Sequence, residues 1–210
     1  MAQVFELHDR EKFSLHGYSL GPQHDDEMRD RLSKTFDFFH DVQLENDANI
    51  AALARQDGID IAIDLSGYTK HSRSGIFAHR AAPIQISYLG YPGTMGAEFI
   101  DYIIADEDLI PISSAQFYTE KPISLPHQYQ AQDNTIPISK TVPTRTELNL
   151  PEDGFVFCSF NNNFKITPDE FDVWARLLQE IDGSVLWLLK SNDWSEENLR
   201  QEIKIRGVNP

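Results

Sequence analysis

Ile59-Asp60-Ile61-Ala62-Ile63-Asp64-Leu65-Ser66-Gly67-Tyr68 is the stretch that decides the fold. Its isoleucine-rich first half is short, apolar and bounded by Gly58 and by the Ser66-Gly67 turn, which predicts a compact buried strand over residues 59–63. Just upstream, residues 46–56 place Ile50, Leu53 and Ala54 on one helical face. Working outward, the same alternation recurs. Residues 13–20 read as a strand ending at Gly21-Pro22, residues 25–33 as a helix carrying Met28 and Leu32 inward, and residues 35–42 as an aromatic-rich extended segment. Downstream come a short helix at 76–80, strands at 84–88 and 102–105, a helix at 113–119 and a strand at 122–125. Strand and helix alternating at this spacing predict a parallel sheet with helices on its faces. Residues 4–9 read as the end of a helix.

From residue 126 to 151 the pattern lapses into a polar stretch with Gln130, Gln132, Asp133, Asn134, Pro137 and Pro143, the composition of a linker between packed units. The rhythm then resumes. Residues 155–159 form a strand, and Thr167-Pro168-Asp169-Glu170 opens a helix over 167–181 with Thr167 as N-cap, Pro168 at the first position and Glu170 closing a capping box. Gly183 stops that helix, residues 185–189 form a buried strand, and an amphipathic helix over 195–206 begins at Ser195-Glu196-Glu197. The expected organisation is one partial α/β unit over 1–128, a linker over 129–150, and the beginning of a second over 151–210. Trp174, Trp187, Leu177, Leu178, Leu186 and Leu188 are assigned to the core by periodicity.

Eighteen Lys plus Arg stand against 33 Asp plus Glu, a net charge of -15. Such a surface repels nucleic-acid phosphates and anionic membranes, so neither is expected as a partner. No run reaches the length of apolar sequence that spans a bilayer, and the amino end lacks the basic and apolar regions of a secretory leader. The single cysteine, Cys158, suits a reducing compartment, and its apolar neighbours predict a buried, inert thiol. A cytoplasmic location is the expectation.

Three loops carry candidate chemistry. Asp64 leaves the carboxyl end of a strand before the Ser66-Gly67 turn, where open α/β sheets form their ligand crevice. It could serve as an acid or base, or simply cap the turn. Gly90-Tyr91-Pro92-Gly93-Thr94-Met95-Gly96 allows close backbone approach to a phosphate or a sugar, or makes a tight turn; its spacing fits neither nucleotide fingerprint. Phe160-Asn161-Asn162-Asn163-Phe164-Lys165 puts a lysine ahead of a helix N-terminus, where an ammonium and the helix dipole both favour a diphosphate. A solvated loop lysine is the commoner use of such a residue. The seven histidines show no HxxxH or HExxH spacing, so no metal site is expected. His71 and His79 read as surface groups, while His127, past the end of a strand, is the best candidate for a general base.

Taken together and in order, these runs resemble the catalytic region of the O-linked N-acetylglucosamine transferases and their SPINDLY-like relatives, glycosyltransferase family 41. The runs are Asp57-Gly58-Ile59-Asp60 through Asp64-Leu65-Ser66-Gly67-Tyr68-Thr69, Ala82-Pro83-Ile84-Gln85, Gly90-Tyr91-Pro92-Gly93-Thr94, Asp101-Tyr102-Ile103-Ile104, Phe160-Asn161-Asn162 with Phe164-Lys165, and Ser184 to Leu189. The resemblance implies a GT-B architecture of two Rossmann-like domains and inverting, metal-independent transfer of N-acetylglucosamine from UDP-GlcNAc to Ser or Thr hydroxyls of proteins. It implies no cofactor. Lys165 matches the lysine that stabilises the departing diphosphate, and Asn162 an amide contact to the donor. Asp64, His127 and the loop Tyr91, Pro92, Gly93, Thr94 would line the cleft. Tetratricopeptide repeats are expected upstream in a longer parent, and donor-binding residues downstream, so that this segment alone would be inactive. Two other readings stay open: protein O-fucosyl transfer from GDP-fucose, and a non-catalytic interaction module.

Overall fold

The computed structural model describes residues 1–22 and 26–210, which form two compact units, residues 1–136 and residues 137–210. Asp25, the expected start of the helix at 25–33, lies outside the described residues. The first unit runs α1 (Ala2–Glu6), β1 (His16–Ser19), α2 (Glu27–Thr35), β2 (Phe38–Asp41), α3 (Asp47–Gln56), β3 (Ile61–Asp64), α4 (Gly75–Ala78), β4 (Ile84–Tyr88), β5 (Tyr102–Ala105) and β6 (Lys121–Ser124). Strands β1 and β2 pair parallel, and β3-β4-β5-β6 make a parallel sheet in chain order.

Short polar side chains set where these helices begin. The carboxylate of Asp26 accepts the Arg29 N–H at the start of α2, and the Asn46 side chain accepts the Asn49 N–H at the start of α3. Each satisfies a backbone donor that would otherwise lack an intrahelical partner. Helix α3 then buries Ile50, Ala51 and Ala54 against Ile76 and Phe77 of α4, Met95, Ile100 and the Ala62 side of the sheet.

Because α3 and α4 cover that one side, the strand expected to be buried is not. Ile61 and Ile63 are about half exposed at 48% and 47%, and Ile84 and Ile123 are also exposed. Met28, expected inward, is exposed as well, and α2 buries no residue; it is held instead by Arg29 to Asp41 and Arg31 to Glu6. The helix expected at 113–119 forms as a 3-10 segment, Ile112–Phe117, with both end residues exposed. Ser113 and Ser114 favour local hydrogen bonds over helix continuation, and Pro111 leaves little length in which to nucleate.

Residues 129–136 are tied to the first unit. The Tyr88 hydroxyl donates to Tyr129 O, the Tyr129 N–H donates to Asp106, Arg31 pairs with Asp133, and Gln3 bonds Asn134.

The second unit contains β7 (Val156–Ser159), α5 (Pro168–Glu180), β8 (Val185–Leu188) and α6 (Asp193–Ile205), with β7 and β8 parallel. Phe171, Ala175 and Ile203 are its buried centre, with Trp174, Leu178, Leu186, Leu188 and Leu199 packed around them. Leu186 and Leu188 point to the helices, so Trp187 and its register partner Cys158 face the other way. Cys158 is therefore exposed rather than buried, and Trp187 meets the edge of Phe160 instead of joining the core.

The Thr167 capping box forms as read, with reciprocal bonds between Thr167 and Glu170. Helix α6 starts two residues earlier than expected: Asn192 is its N-cap and Ser195 is the third helical residue of a second capping box. Replacing Thr167 with alanine should destabilise the second unit by about 1 kcal/mol. Urea unfolding followed by Trp fluorescence would measure it, since Trp174 and Trp187 lie in this unit.

Candidate active site

All four strands of the larger sheet are parallel, so their carboxyl ends share one edge. That edge gathers Asp64 at the end of β3, the 90–96 loop after β4, Asp106 after β5 and His127 after β6. Three of the sequence-derived candidates thus lie together within the first unit. Asn162 and Lys165 lie in the second unit, in the loop after the carboxyl end of β7.

The two glycine-bearing loops of the first unit lock into each other. A side chain on Gly90 would stand 2.3 Å from Leu65 O, and one on Gly67, whose φ is +53°, would stand 2.6 Å from Tyr91 Cβ. Only glycine permits both approaches. The Tyr68 ring lies edge-on to Tyr91, with centroids 5.6 Å apart, and its hydroxyl donates to Met95 O at 2.7 Å.

Asp64 serves this arrangement directly. It is 6% exposed, and its Oδ1 accepts the N–H groups of Ser66 and Gly67 at 2.9 and 3.0 Å. That is the turn-capping use of the residue. Its Oδ2 is buried and has no hydrogen-bond partner among the described residues.

A residue not singled out from the sequence, Glu120, anchors the second loop. It is 2% exposed; Oε2 accepts the Thr94 hydroxyl and Oε1 the Met95 N–H, each at 2.6 Å. Thr94 Oγ1 also accepts the Gly96 N–H at 3.0 Å. The Thr94 hydroxyl is therefore committed to shaping the loop, leaving half-buried Tyr91 and Gly93 and exposed Pro92 as its outward part. Glu120 precedes β6 in the short polar run Thr119-Glu120-Lys121, which gives no sequence signal of burial. Asp106 plays a similar part after β5, where the N–H groups of Leu109 and Tyr129 hold its carboxyl below the usual range.

His127 is exposed two residues before Tyr129, whose backbone is held at both N–H and C=O. Its ring is thus carried on a fixed segment. Lys165 is exposed, at the end of the 3-10 turn Asn163–Lys165, and its ammonium has no ion pair among the described residues. Asn162 is exposed too, while Asn163 is held by its Nδ2 donating to Ser195 Oγ at 2.9 Å.

One expected element of this loop is not available. The N-terminus of α5 cannot offer much to an anion, because Pro168 has no N–H, the Glu170 N–H is taken by Thr167 Oγ1, and the first turn carries Asp169 and Glu170. Whatever positive potential the loop has comes from Lys165.

The family model for glycosyl transferase family 41 matches residues 1–136 and 127–210, which together span the whole chain. The chain belongs to glycosyl transferase family 41. Its family 41 relatives include a protein of Arabidopsis thaliana described as a probable UDP-N-acetylglucosamine–peptide N-acetylglucosaminyltransferase SEC, 39% identical over 100% of this chain and 22% of that protein. A SPINDLY protein of Eustoma exaltatum is 34% identical over 92% of this chain and 21% of its own length. Among solved structures, a mutant O-GlcNAc transferase of Thermobaculum terrenum matches with a TM-score of 0.86 at 30% identity, covering 99% of this chain and 39% of that one. The chain thus spans about a fifth of the length of these curated family 41 relatives. The fold match bears out the α/β, GT-B-type reading.

Proposed function

We propose that this chain is part of a protein O-glycosyltransferase that moves N-acetylglucosamine from UDP-GlcNAc to Ser or Thr hydroxyls of proteins, with inversion and without a metal in the transfer step. The observation that carries the reading is Lys165: an exposed ammonium with no ion pair among the described residues, just past the carboxyl end of a parallel strand, in a chain whose relatives are described as UDP-N-acetylglucosamine–peptide transferases.

In this reading the bond between the anomeric carbon and the β-phosphate oxygen breaks as the acceptor oxygen attacks from the opposite face. The negative charge left on UDP is met by Lys165, which does the work that a divalent ion does elsewhere. The exposed amide of Asn162 is assigned to the donor, and the Tyr91-Pro92-Gly93 surface is kept as a donor-binding candidate of the first unit. Of the two candidate bases, His127 has the accessible ring. Asp64, buried and engaged with the 64–67 turn, is assigned to positioning the loops rather than to proton transfer. The setting is cytoplasmic.

The test uses the protein in its full-length form, with sugar-labelled UDP-GlcNAc and an acceptor peptide. Label on a Ser or Thr, formed at an initial rate that survives a chelator, is expected. Transfer from GDP-fucose instead would make the protein a fucosyltransferase, and no transfer from either donor would leave a binding module.

A further inference from the structure

Spacings such as HxxxH and HExxH register only metal ligands that lie close along the chain. Parallel pairing of β1 and β2 brings together two histidines that are far apart in sequence. In the register His16↔Phe38 and Tyr18↔His40, all four side chains fall on one face of the pair. The His16 ring stacks on Phe38 at 4.6 Å and the Tyr18 ring on His40 at 5.0 Å, which fixes both imidazoles in plane. The residue that ends α3, Asp57, faces them.

The donor atoms converge. His40 Nε2 lies 3.1 Å and His16 Nδ1 3.9 Å from Asp57 Oδ2, and one ligand atom from each residue falls within 4.8 Å of the others. Both nitrogens are buried, and neither has a hydrogen-bond partner among the described residues. The other nitrogen of His16, Nε2, sits 3.3 Å from Ser14 Oγ; donating its proton there leaves the Nδ1 lone pair aimed at the cluster. The Tyr18 hydroxyl donates to Asp57 Oδ2 at 2.6 Å. A hydrogen bond that orients a ligating carboxylate is the usual support around a metal.

We infer that His16, His40 and Asp57 form a binding site for a divalent transition-metal ion of the zinc, cobalt or nickel type. Two imidazoles and one carboxylate suit such ions, whereas calcium and magnesium call for oxygen ligands. Around a tetrahedral ion with bonds of about 2.0 to 2.1 Å, ligand atoms sit about 3.3 Å apart. The observed 3.1 and 3.9 Å bracket that separation. Three protein ligands leave at least one position for water. His40 also lines an open hollow of about 520 Å³ with Phe39, Val42, Asn49 and Leu53. None of the three ligands is a candidate donor-site residue, so the ion would tie β1 and β2 to the end of α3 and take no part in sugar transfer.

The experiment is a titration of the chelator-treated full chain with Co²⁺, read by visible absorption. One equivalent should bind with the intense bands of a four-coordinate site, and Zn²⁺ should displace it. His16→Ala and His40→Ala should each weaken binding by at least tenfold. Tyr18→Phe, which removes no ligand, should weaken it by about tenfold. Zn²⁺ should also raise the melting temperature of the wild type but not of the double histidine variant. A folded wild type that binds Co²⁺ no more tightly than the double variant, and with only weak six-coordinate bands, would overturn the site and leave a proton-sharing His–Asp–His cluster. If the alanine variants do not fold, as judged by circular dichroism, the wild-type spectrum and Tyr18→Phe decide the question.

Discussion

Lys165→Ala in the full-length protein is expected to lower the rate of sugar transfer about a hundredfold, with little change in the melting profile. The expectation follows from the loop's electrostatics. The first turn of α5 is capped by its own side chains and carries two carboxylates, so no other group in this loop offsets the charge that develops on a leaving diphosphate. Loss of a preorganised group of this kind costs about 3 kcal/mol of barrier, and about 1.4 kcal/mol corresponds to tenfold in rate. Because Lys165 is exposed and makes no ion pair among the described residues, its removal leaves no buried group unsatisfied. Lys165→Arg keeps the charge on a wider, planar head and should fall between the two. Steady-state kinetics with UDP-GlcNAc checks all three proteins. An alanine variant with wild-type kcat would remove Lys165 from the mechanism.

The largest expected loss of stability is at Gln85. Its side chain is fully buried, accepts the Ala81 N–H at 2.8 Å, and donates to Phe77 O at 2.8 Å and Phe99 O at 2.6 Å. These bonds close the end of α4, where Arg80 takes a left-handed φ of 55° that its own bonds to Phe99 O, Pro83 O and Asp101 hold in place. Gln85→Ala opens a cavity and leaves the Ala81 N–H without its acceptor, while Phe77 O and Phe99 O each keep a bond from Arg80, a cost of about 4 kcal/mol. Gln85→Met restores most of the volume but none of the bonds, so it should recover less than half of that loss. In a unit of this size the alanine variant should melt on the order of 10 °C lower. Thermal unfolding by circular dichroism separates the packing and hydrogen-bonding contributions, and equal stabilities for methionine and wild type would show that the three bonds contribute nothing net.

Much of this fold was legible in the sequence where the signal is local. Thr167, Pro168 and Glu170 announce a helix start because capping is settled within four residues. The spacing of Ile50, Leu53 and Ala54 announces a face because a helix has a fixed period. Leu186 and Leu188 join the core as their spacing announces, but other readings that depend on which face a neighbouring element covers failed. Ile61 and Ile63 look buried by composition, yet α3 and α4 pack on the opposite side; Cys158 looks buried, yet its register partner Trp187 turns away from the helices. The candidate site divides in the same way. The glycine loops, Asp64, His127 and Lys165 stand out by position after strands, whereas Glu120 and the His16–His40–Asp57 cluster arise only from pairing between distant segments.

The order β3-β4-β5-β6 carries a further consequence for how the chain comes into being. Each strand docks on the edge left by the one just before it, through a short crossover, so no strand waits for a distant partner. A sheet of this kind can be laid down from one side as the polypeptide leaves the ribosome, each addition offering the hydrogen-bonding rim for the next. Synthesis and assembly then run in the same direction, each new strand meeting the rim of the one made just before it.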